Sequence, residues 1–431
     1  MALGGGTFTS MNKKLPGTYI NFVSVARASA SLSDRGVAAM PVEVNWGVDG
    51  EVMTVTRSDF QRNTMELFGY RYADDAVKEL RELFLHTEKA YLYRLNSGEK
   101  AKNTYATAKC SGTRGNDLKI VIAENVDAPE KFDVTLYMGT TKLNAQTVAS
   151  AKDLVDDNWV TYDKTASLAA TAGIALAGGT NGTVSGDSHA EFIKAIESYT
   201  FNVLGVETTE EAIKKTYVAF IKRLREEVGL KAQLVLHDMK ADYEGVISIK
   251  NTTAEGDAKL VYWVTGAEAE CAVNASLSNT EYDGEYTVNA GYTQSELETC
   301  IDEGYLAFHK VDDEIKVLSD INSLTTETEE KNADFKSNQT VRVCDQIAND
   351  VASIFGSKYA GKIPNDAAGR TSLWSDIVKI HTELQNRRAI EEFSDSDITV
   401  TKGDTKRSVI VTDTVTPVNA MEQLYMTVYI N

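Results

Sequence analysis

The hydrophobic positions of this chain follow two periods, and the period switches from region to region. A small, polar lead-in from Met1 to Lys14 precedes the turn signal Pro16-Gly17 and then the short β-prone run Thr18-Tyr19-Ile20-Asn21-Phe22. Val37 to Thr56 carries further β-prone pieces, and Ser58-Asp59-Phe60-Gln61 reads as a capping box that opens a short helix. Asp74 and Asp75 suit the positive end of a second helix dipole, with Leu80, Leu83 and Phe84 as its apolar stripe, and a strand is predicted around Tyr91 to Leu95. From about Lys100 to Ala177 the texture turns to short β-prone runs with little helical periodicity, such as Leu118-Lys119-Ile120-Val121-Ile122 and Phe132-Asp133-Val134-Thr135-Leu136-Tyr137. That spacing predicts a small β-sandwich or barrel inserted between mixed regions.

Helical signals then return. Ser188 with Glu191 and Thr208 with Glu211 read as capping boxes, and the second opens a helix whose Ile213, Tyr217, Phe220, Ile221, Leu224 and Val228 share one face. Strands are predicted over Gln233 to His237, Gly245 to Lys250 and Leu260 to Val264, the last followed by a helix from near Thr265. Thr293 with Glu296 caps another helix that Gly304 ends, and Tyr305 to His309 pairs with Ile315 to Ile321 across an acidic turn. After about Thr325 two packed helices are predicted, one striped by Val343, Ile347, Val351, Ile354 and Phe355, the other by Leu373, Ile377, Ile380 and Leu384 within Thr371 to Phe393. Ile398 to Val400 and Ser408 to Val411 flank Lys402-Gly403-Asp404 as a hairpin. After Pro417 comes a terminal run with period two: Leu424, Met426, Val428 and Ile430 fall on one face, Tyr425 and Tyr429 on the other, up to Asn431. Termini usually fray, and a strand with no local partner gains little unless another sheet edge accepts its backbone hydrogen bonds, so both arms read as strands meant for neighbouring copies.

Composition narrows the classes. At 431 residues two to four domains are expected, and the 42% apolar fraction supplies packed interiors, while no apolar run approaches the length of a membrane span, so a soluble chain without membrane insertion is expected. A net charge of -19 argues against nucleic acid as a partner, which requires a cationic footprint; it reads as solubility or as complementarity to a basic surface. Cys110, Cys271, Cys300 and Cys344 are widely separated and read as buried thiols rather than a zinc site or disulfide framework. No cationic, then apolar, then small-residue leader opens the chain, which predicts cytoplasmic synthesis without a secretory signal.

Few residues offer chemistry. Gly356 to Lys362 has the glycine and lysine spacing of a phosphate loop, but Ile363 stands where the magnesium-binding hydroxyl belongs and a helix precedes it where a strand should. Gly178-Gly179-Thr180-Asn181-Gly182 lacks a cation and reads as a boundary loop. His86, His189, His237, His309 and His381 show no metal-ligand spacing, and His237-Asp238 beside a strand end is a weak acid–base pair against a surface turn. The acidic runs Asp312 to Glu314 and Glu327 to Glu330 read as solvated turns. No catalytic, cofactor or metal set emerges.

The order of several short elements resembles the tail sheath proteins of contractile phage tails and R-type bacteriocins. Pro16-Gly17-Thr18-Tyr19-Ile20 looks like a P-G-x-Y opening, followed by Arg35-Gly36-Val37 and Met40-Pro41; Gly112 and Gly115-Asn116 are similar to a G-x-x-G-N element, and Leu176 to Gly182 to an L-x-G-G-x-x-G boundary, with Asn181 where Asp is common. Asp320-Ile321-Asn322-Ser323-Leu324-Thr325 looks like D-I-N-T-L-T, Asn338 to Asp345 with Val341, Arg342 and Val343 like N-x-x-V-R-x-x-D, and Tyr359-Ala360-Gly361-Lys362 through Asn365 like Y-x-G-K-x-x-N. The resemblance implies an α/β core (α+β mixed) with an inserted β domain and extended terminal strand arms. The expected division is 1–30 arm, 31–99 core, 100–177 exterior insertion, 178–325 core, 326–415 a domain facing an inner tube, and 416–431 arm. It also implies a structural subunit, stacked as hexameric rings, that contracts from a metastable extended state without nucleotide hydrolysis and needs no cofactor. Its partners would be itself, the inner tail tube protein, and baseplate and tail terminator proteins, and its mature place a phage tail or bacteriocin particle. Pro16, Gly17, Tyr19, Ile20, Phe22, Leu424, Tyr425, Met426, Val428, Tyr429 and Ile430 are then the inter-subunit arms, and Lys379, Glu383, Arg387 and Arg388 the expected tube contact or, equally, a solvated face. A nucleotide-binding enzyme using Gly356 to Lys362, or a secreted surface-layer or adhesin protein, are the competing readings.

Overall fold

The computed structural model describes residues 32–430, so Pro16, Gly17, Tyr19, Ile20 and Phe22 of the expected first arm lie outside the described residues. The chain enters a central sheet with β1 (Val37–Val42), then β2 (Val52–Thr56), α1 (Arg57–Phe68), α2 (Lys78–His86) and β3 (Lys89–Arg94). The capping box of α1 is formed by Thr56 and Asp59, two residues before the predicted one, because Thr56 is extended and its hydroxyl reaches the Asp59 amide. Next come β4 (Ala106–Ala108), β5 (Leu118–Glu124), β6 (Phe132–Met138), β7 (Thr141–Val148), β8 (Val160–Tyr162) and β9 (Thr171–Ala175). They make a four-stranded sheet in the order β7-β6-β5-β9 and a β4-β8 pair, every pairing antiparallel. Alternate residues Leu118, Ile120, Ile122, Val134, Leu136 and Met138 bury together with Trp159 and Tyr162, and Trp46 of the core region joins the same cluster.

Returning to the central sheet, the chain forms α3 (Gly186–Ile196), β10 (Val203–Gly205), α4 (Glu211–Arg223), β11 (Gln233–His237), β12 (Val246–Ile249), α5 (Leu260–Glu270), α6 (Gln294–Asp302) and β13 (Tyr305–Leu306). The sheet order is β13-β12-β11-β10-β1-β3-β2, parallel except for β2 against β3. Period two along β1 sends Ala38 and Met40 to the apolar layer shared with α1, α2 and α5, and Ala39 to the layer shared with α3 and α4. Four expectations are corrected here. Leu260 to Val264 is the first turn and a half of α5, not a strand; the helix is buried from Leu260 to Ala269, so its apolar run carries neither period. The box of α3 pairs Ser185 with Ser188. Thr208 forms no box, since its hydroxyl accepts from the Glu210 amide ahead of the helix, and Val228 at the far end is exposed. Thr293 and Glu296 do cap α6, and Gly304 follows it with φ 74°.

Beyond β14 (Phe308–Val311) and β15 (Glu314–Val317), an antiparallel pair, the last region packs α7 (Asn338–Ile354) on α8 (Ala367–Asn386) through Val343, Ile347, Ile354, Leu373, Ile377, Ile380 and Leu384. Phe355 is largely exposed rather than part of that stripe. Two small antiparallel pairs finish the chain: β16 (Ile390–Glu391) with β19 (Thr416–Pro417), and the hairpin β17 (Ile398–Lys402) with β18 (Val409–Asp413). α8 stops at Asn386 and not near Phe393. Arg388 takes φ 61°, and the Arg388 and Ala389 amides donate back to the Gln385 and Leu384 carbonyls, a Schellman ending made without the usual glycine.

Candidate assembly surfaces

The terminal arm has a fixed root and an unpartnered end. After β19, the Val418 amide donates to the Ala389 carbonyl at 2.9 Å, and the Ala420 amide donates to Gln339 Oε1 at 2.9 Å. Asn419 Nδ2 donates to Thr340 Oγ1 at 3.0 Å, so the root crosses the first turn of α7. Glu422 then accepts from Ser278 Oγ at 2.5 Å and Ser319 Oγ at 2.9 Å, fixing the chain to the central region. Beyond it, Leu424 is 86% exposed and Ile430 94%, with Tyr425, Met426, Val428 and Tyr429 nearly as bare. The predicted period-two strand therefore pairs with no other strand among the described residues, and both of its faces meet solvent.

Under that root lies a buried charged joint. Arg342 of α7 reaches Glu268 of α5 at 2.6 Å, Asp320 at 3.2 Å and the Ala275 carbonyl at 2.7 Å, with its side chain wholly buried. Asn338 Nδ2 donates to Asp320 Oδ1 at 2.8 Å and Glu268 Oε1 at 3.2 Å, while Gln233 Nε2 of β11 donates to Asn338 Oδ1 at 3.0 Å. Arg35 closes the far side through the carbonyls of Glu268 and Cys271. Burial, then the Asp320 charge, pushes the Glu268 carboxyl up to about 8, so it holds a proton at neutral pH. Burial also pushes Asp320 upward, but the Arg342 guanidinium and hydrogen bonds outweigh it and keep Asp320 low and ionised. The Arg342 guanidinium thus faces one ionised carboxylate, Asp320, with the Arg35 cation held by backbone carbonyls on the far side. A second buried pair, Arg225 to Asp345 at 2.5 and 2.8 Å, clamps the end of α4 to α7. Asp320, Asn338, Arg342 and Asp345 are members of the quoted D-I-N and N-x-x-V-R-x-x-D elements; their spacing marks this joint, while Glu268 lies in the helix predicted from near Thr265 and belongs to none of the quoted elements.

The comparisons with known proteins agree along the whole chain. Residues 35–95 match the tail sheath protein Gp18 domain III N-terminal region, 96–181 the phage tail sheath β-sandwich domain, 182–323 the phage tail sheath central domain and 330–431 the phage tail sheath C-terminal domain. A sheath tail protein from Desulfitobacterium hafniense is 35% identical and superposes with TM-score 0.82 over 95% of this chain and 99% of that one. The chain belongs to the phage tail sheath family. The phage-like element PBSX protein XkdK of Bacillus subtilis is 33% identical over the full length of both chains. The contracted helical sheath of the anti-feeding prophage, 12% identical with TM-score 0.57 over 97% of this chain and 99% of that chain, shares the fold.

On this sheath-family chain the expected tube-facing residues are only partly free. Lys379, Glu383 and Arg387 follow one ridge of α8 at intervals of four. Glu383 accepts from Arg387 at 2.5 Å and from the Leu32 amide at 3.3 Å, and Lys379 lies 3.5 Å from Asp376. Arg388 leaves the ridge in the left-handed turn. The phosphate-like loop is a π-turn, Phe355–Tyr359, followed by a bend in which the Lys362 ammonium donates to the Ser357 carbonyl of its own loop. His237 and Asp238 form no catalytic pair: His237 is buried, whereas Asp238, at φ 44°, accepts from the Tyr305 hydroxyl at 2.7 Å and Lys250 at 3.3 Å. Among the described residues no three His, Cys, Asp or Glu side chains gather as metal ligands.

Proposed function

We propose that this chain is the structural subunit of a contractile tail sheath, stacking as hexameric rings around an inner tube and shortening from a metastable extended state to drive the tube through a cell envelope. The observation that carries the reading is the arm: a root held by five side-chain and backbone hydrogen bonds leads into residues 423–430, whose aliphatic and aromatic side chains have nothing to pack on among the described residues. Such a segment gains its stability by adding a strand to a neighbour. The acceptor is the β17–β18 hairpin, a two-stranded sheet with Ile410 and Val411 exposed, since a pair of strands is marginal until further strands extend it. Arms that stay paired while domains move keep subunits connected during contraction. The insertion 100–177 sits on the outer surface of the polymer, and the region 326–415 faces the tube. Tube, baseplate and terminator proteins are the partners, and the chemistry is mechanical, without substrate or cofactor.

Deleting 421–431 tests this. The truncated monomer keeps its melting temperature within about 2 °C, because few buried contacts are lost, and negative-stain microscopy shows none of the tubes formed by the full chain. A truncated chain that still polymerises, or a monomer that melts far lower, overturns it.

A further inference from the structure

The β17–β18 hairpin rests on α8 and is fixed to it near its base. Trp374 Nε1 of α8 donates to the Ile398 carbonyl at 3.0 Å, and Ile398 packs among Ile377, Ile380 and Leu384. Across the hairpin Ile398 is paired with Asp413, the last residue of β18, whose carboxylate turns toward α8. There His381 Nε2 lies 2.9 Å from Asp413 Oδ2, on a ring that is wholly buried and 5.1 Å, centre to centre, from Phe393. The other ring nitrogen, Nδ1, is 3.0 Å from the Ile377 carbonyl one turn back along the helix.

Both neighbours of the ring are acceptors. A carbonyl oxygen can only accept, so Nδ1 carries a hydrogen, and a neutral ring then turns the bare lone pair of Nε2 on an ionised carboxylate. Neither that Nε2 nor Asp413 Oδ1 has an aligned hydrogen-bond partner among the described residues, so no second group relieves the contact. Two electron-rich atoms this close repel in a buried site, and one added proton, on Nε2 or on the carboxyl, turns the contact into an attraction. The surrounding charges are engaged elsewhere. Asp376 of α8 accepts from Lys358 and Tyr359, Glu383 from Arg387, Asp350 of α7 from Ser33 and Gln346, and Asp397 ahead of β17 from the Ser394 amide, while Glu391 of β16 is exposed. His86 also faces two carboxylates, Glu270 at 3.2 Å and Asp283 at 3.0 Å, but on a partly exposed ring where water can serve either nitrogen.

We propose that one proton shared between His381 and Asp413 pins the base of the hairpin to α8, so that the hairpin is held while the proton is bound and loosens as it leaves with rising pH. With the proton the pair is neutral overall, as imidazolium and carboxylate or as imidazole and carboxylic acid; without it the pair carries one negative charge against a bare lone pair. Asp413 is partly exposed, which gives the proton a way to solvent. The contribution to hairpin docking is therefore present on the acid side and lost on the alkaline side. The pin belongs to the monomer, and its effect on assembly rests on the reading of the hairpin as the acceptor of the arm.

Hydrogen exchange of the full chain, read by mass spectrometry at pH 6 and pH 9, on either side of the range in which histidine ordinarily changes charge, tests this. Exchange times are scaled for the faster chemical rate at pH 9, and peptides from α7 serve as the internal reference, because titration of Glu268 acts through that helix. In the parent, peptides of 398–413 should exchange about tenfold faster relative to α7 at pH 9 than at pH 6, the size expected when a buried polar group is left unpaired. Asp413→Asn, whose amide can donate to Nε2 of a neutral ring, and His381→Gln, which keeps an amide donor without titrating, should each show the same ratio at both pH values. A parent whose ratio does not change with pH, or variants that follow the parent, overturns the pin. Polymerisation separates this from the assembly reading: the parent should need more protein to polymerise at pH 9 than at pH 6, and Asp413→Asn should not. If the exchange result holds while parent and variant polymerise alike at both pH values, the pin stands and the hairpin is not the acceptor of the arm.

Discussion

The joint around Arg342 and the arm beyond Glu422 are neighbours in space and opposites in physics. In the joint Arg342, Glu268 and Asp320 are buried and partnered inside the chain, and they come from α7, α5 and the segment after β15, so three distant stretches are fixed at once. In the arm the aliphatic and aromatic side chains are exposed and have no packing partner among the described residues. Glu422 is the boundary, since its carboxylate is held by Ser278 and Ser319 and Ser278 Oγ in turn accepts from the Asp320 amide. On the proposed reading of the arm as an intermolecular strand, a rigid joint at the root lets a subunit hand that strand to its neighbour in a defined direction. Stability is concentrated in one region and deferred to assembly in the other.

The sharpest way to break this comparison is Arg342→Met. It leaves Asp320 ionised and buried without its cation, and removing one partner of a buried pair costs about 3–5 kcal/mol. The melting temperature of the monomer should fall by about 5 °C in calorimetry, in contrast to the arm deletion. A fall of only a degree or two would mean that the joint is not what holds α7 to the central region.

Glu268 sharpens the same point through pH. Its folded value of about 8 lies above the ordinary 4.5, so between these values the folded state binds a proton that the unfolded chain releases. The contribution is fully present below pH 4.5 and is lost as pH rises toward 8. Glu268→Gln, which keeps the hydrogen-bonding shape without the titration, should therefore flatten the decline in chemical-denaturation midpoint between pH 5 and 8. An unchanged slope would place the titrating group elsewhere.

The sequence made these two regions legible to different degrees. The arm was plain because period two over Leu424 to Ile430 needs only counting. The joint was legible only as spaced motif residues: nothing about Asp320 or Arg342 in isolation says that they meet, since their contact is set by how α7 docks on α5. Glu268 was lost because α5 is buried all round and carries no helical period. The end of α8 was lost because an arginine, not a glycine, adopts the left-handed turn at Arg388. Where Thr293 and Glu296 supply a local cap, the reading and the structure coincide.

The insertion offers an intermediate test, being well packed internally yet joined to the core at a narrow base. Trp46 lies against Trp159 with ring centres 5.7 Å apart, Arg94 donates to the Ser111 carbonyl at 2.9 Å, and Gly112, at φ 117°, lets the Asn45 carbonyl approach where a Cβ would stand 2.1 Å away. Replacing 100–177 with a short linker uncovers Trp46 and should lower the melting temperature by several degrees. An exterior domain contributes few ring contacts, so polymerisation should survive. A folded chain that no longer assembles would make the insertion part of the connecting mesh.

The smallest effect is expected on the α8 ridge. Arg387 already faces Glu383, and both are partly solvated, so the pair contributes under about 1 kcal/mol to the fold. Arg387→Glu with Arg388→Glu should leave the monomer's melting curve almost unmoved, much as the arm deletion does and unlike Arg342→Met. If the ridge grips the tube, the variant loads less efficiently onto purified tubes at low salt, and the difference from the parent closes as added salt screens charges over about 10 Å at 0.1 M. A contact of that kind is strong enough to align rings during assembly and weak enough to release when they slide. Equal loading of parent and variant at every salt concentration would make the ridge an ordinary solvated face, leaving the arm as the assembly surface that this region controls.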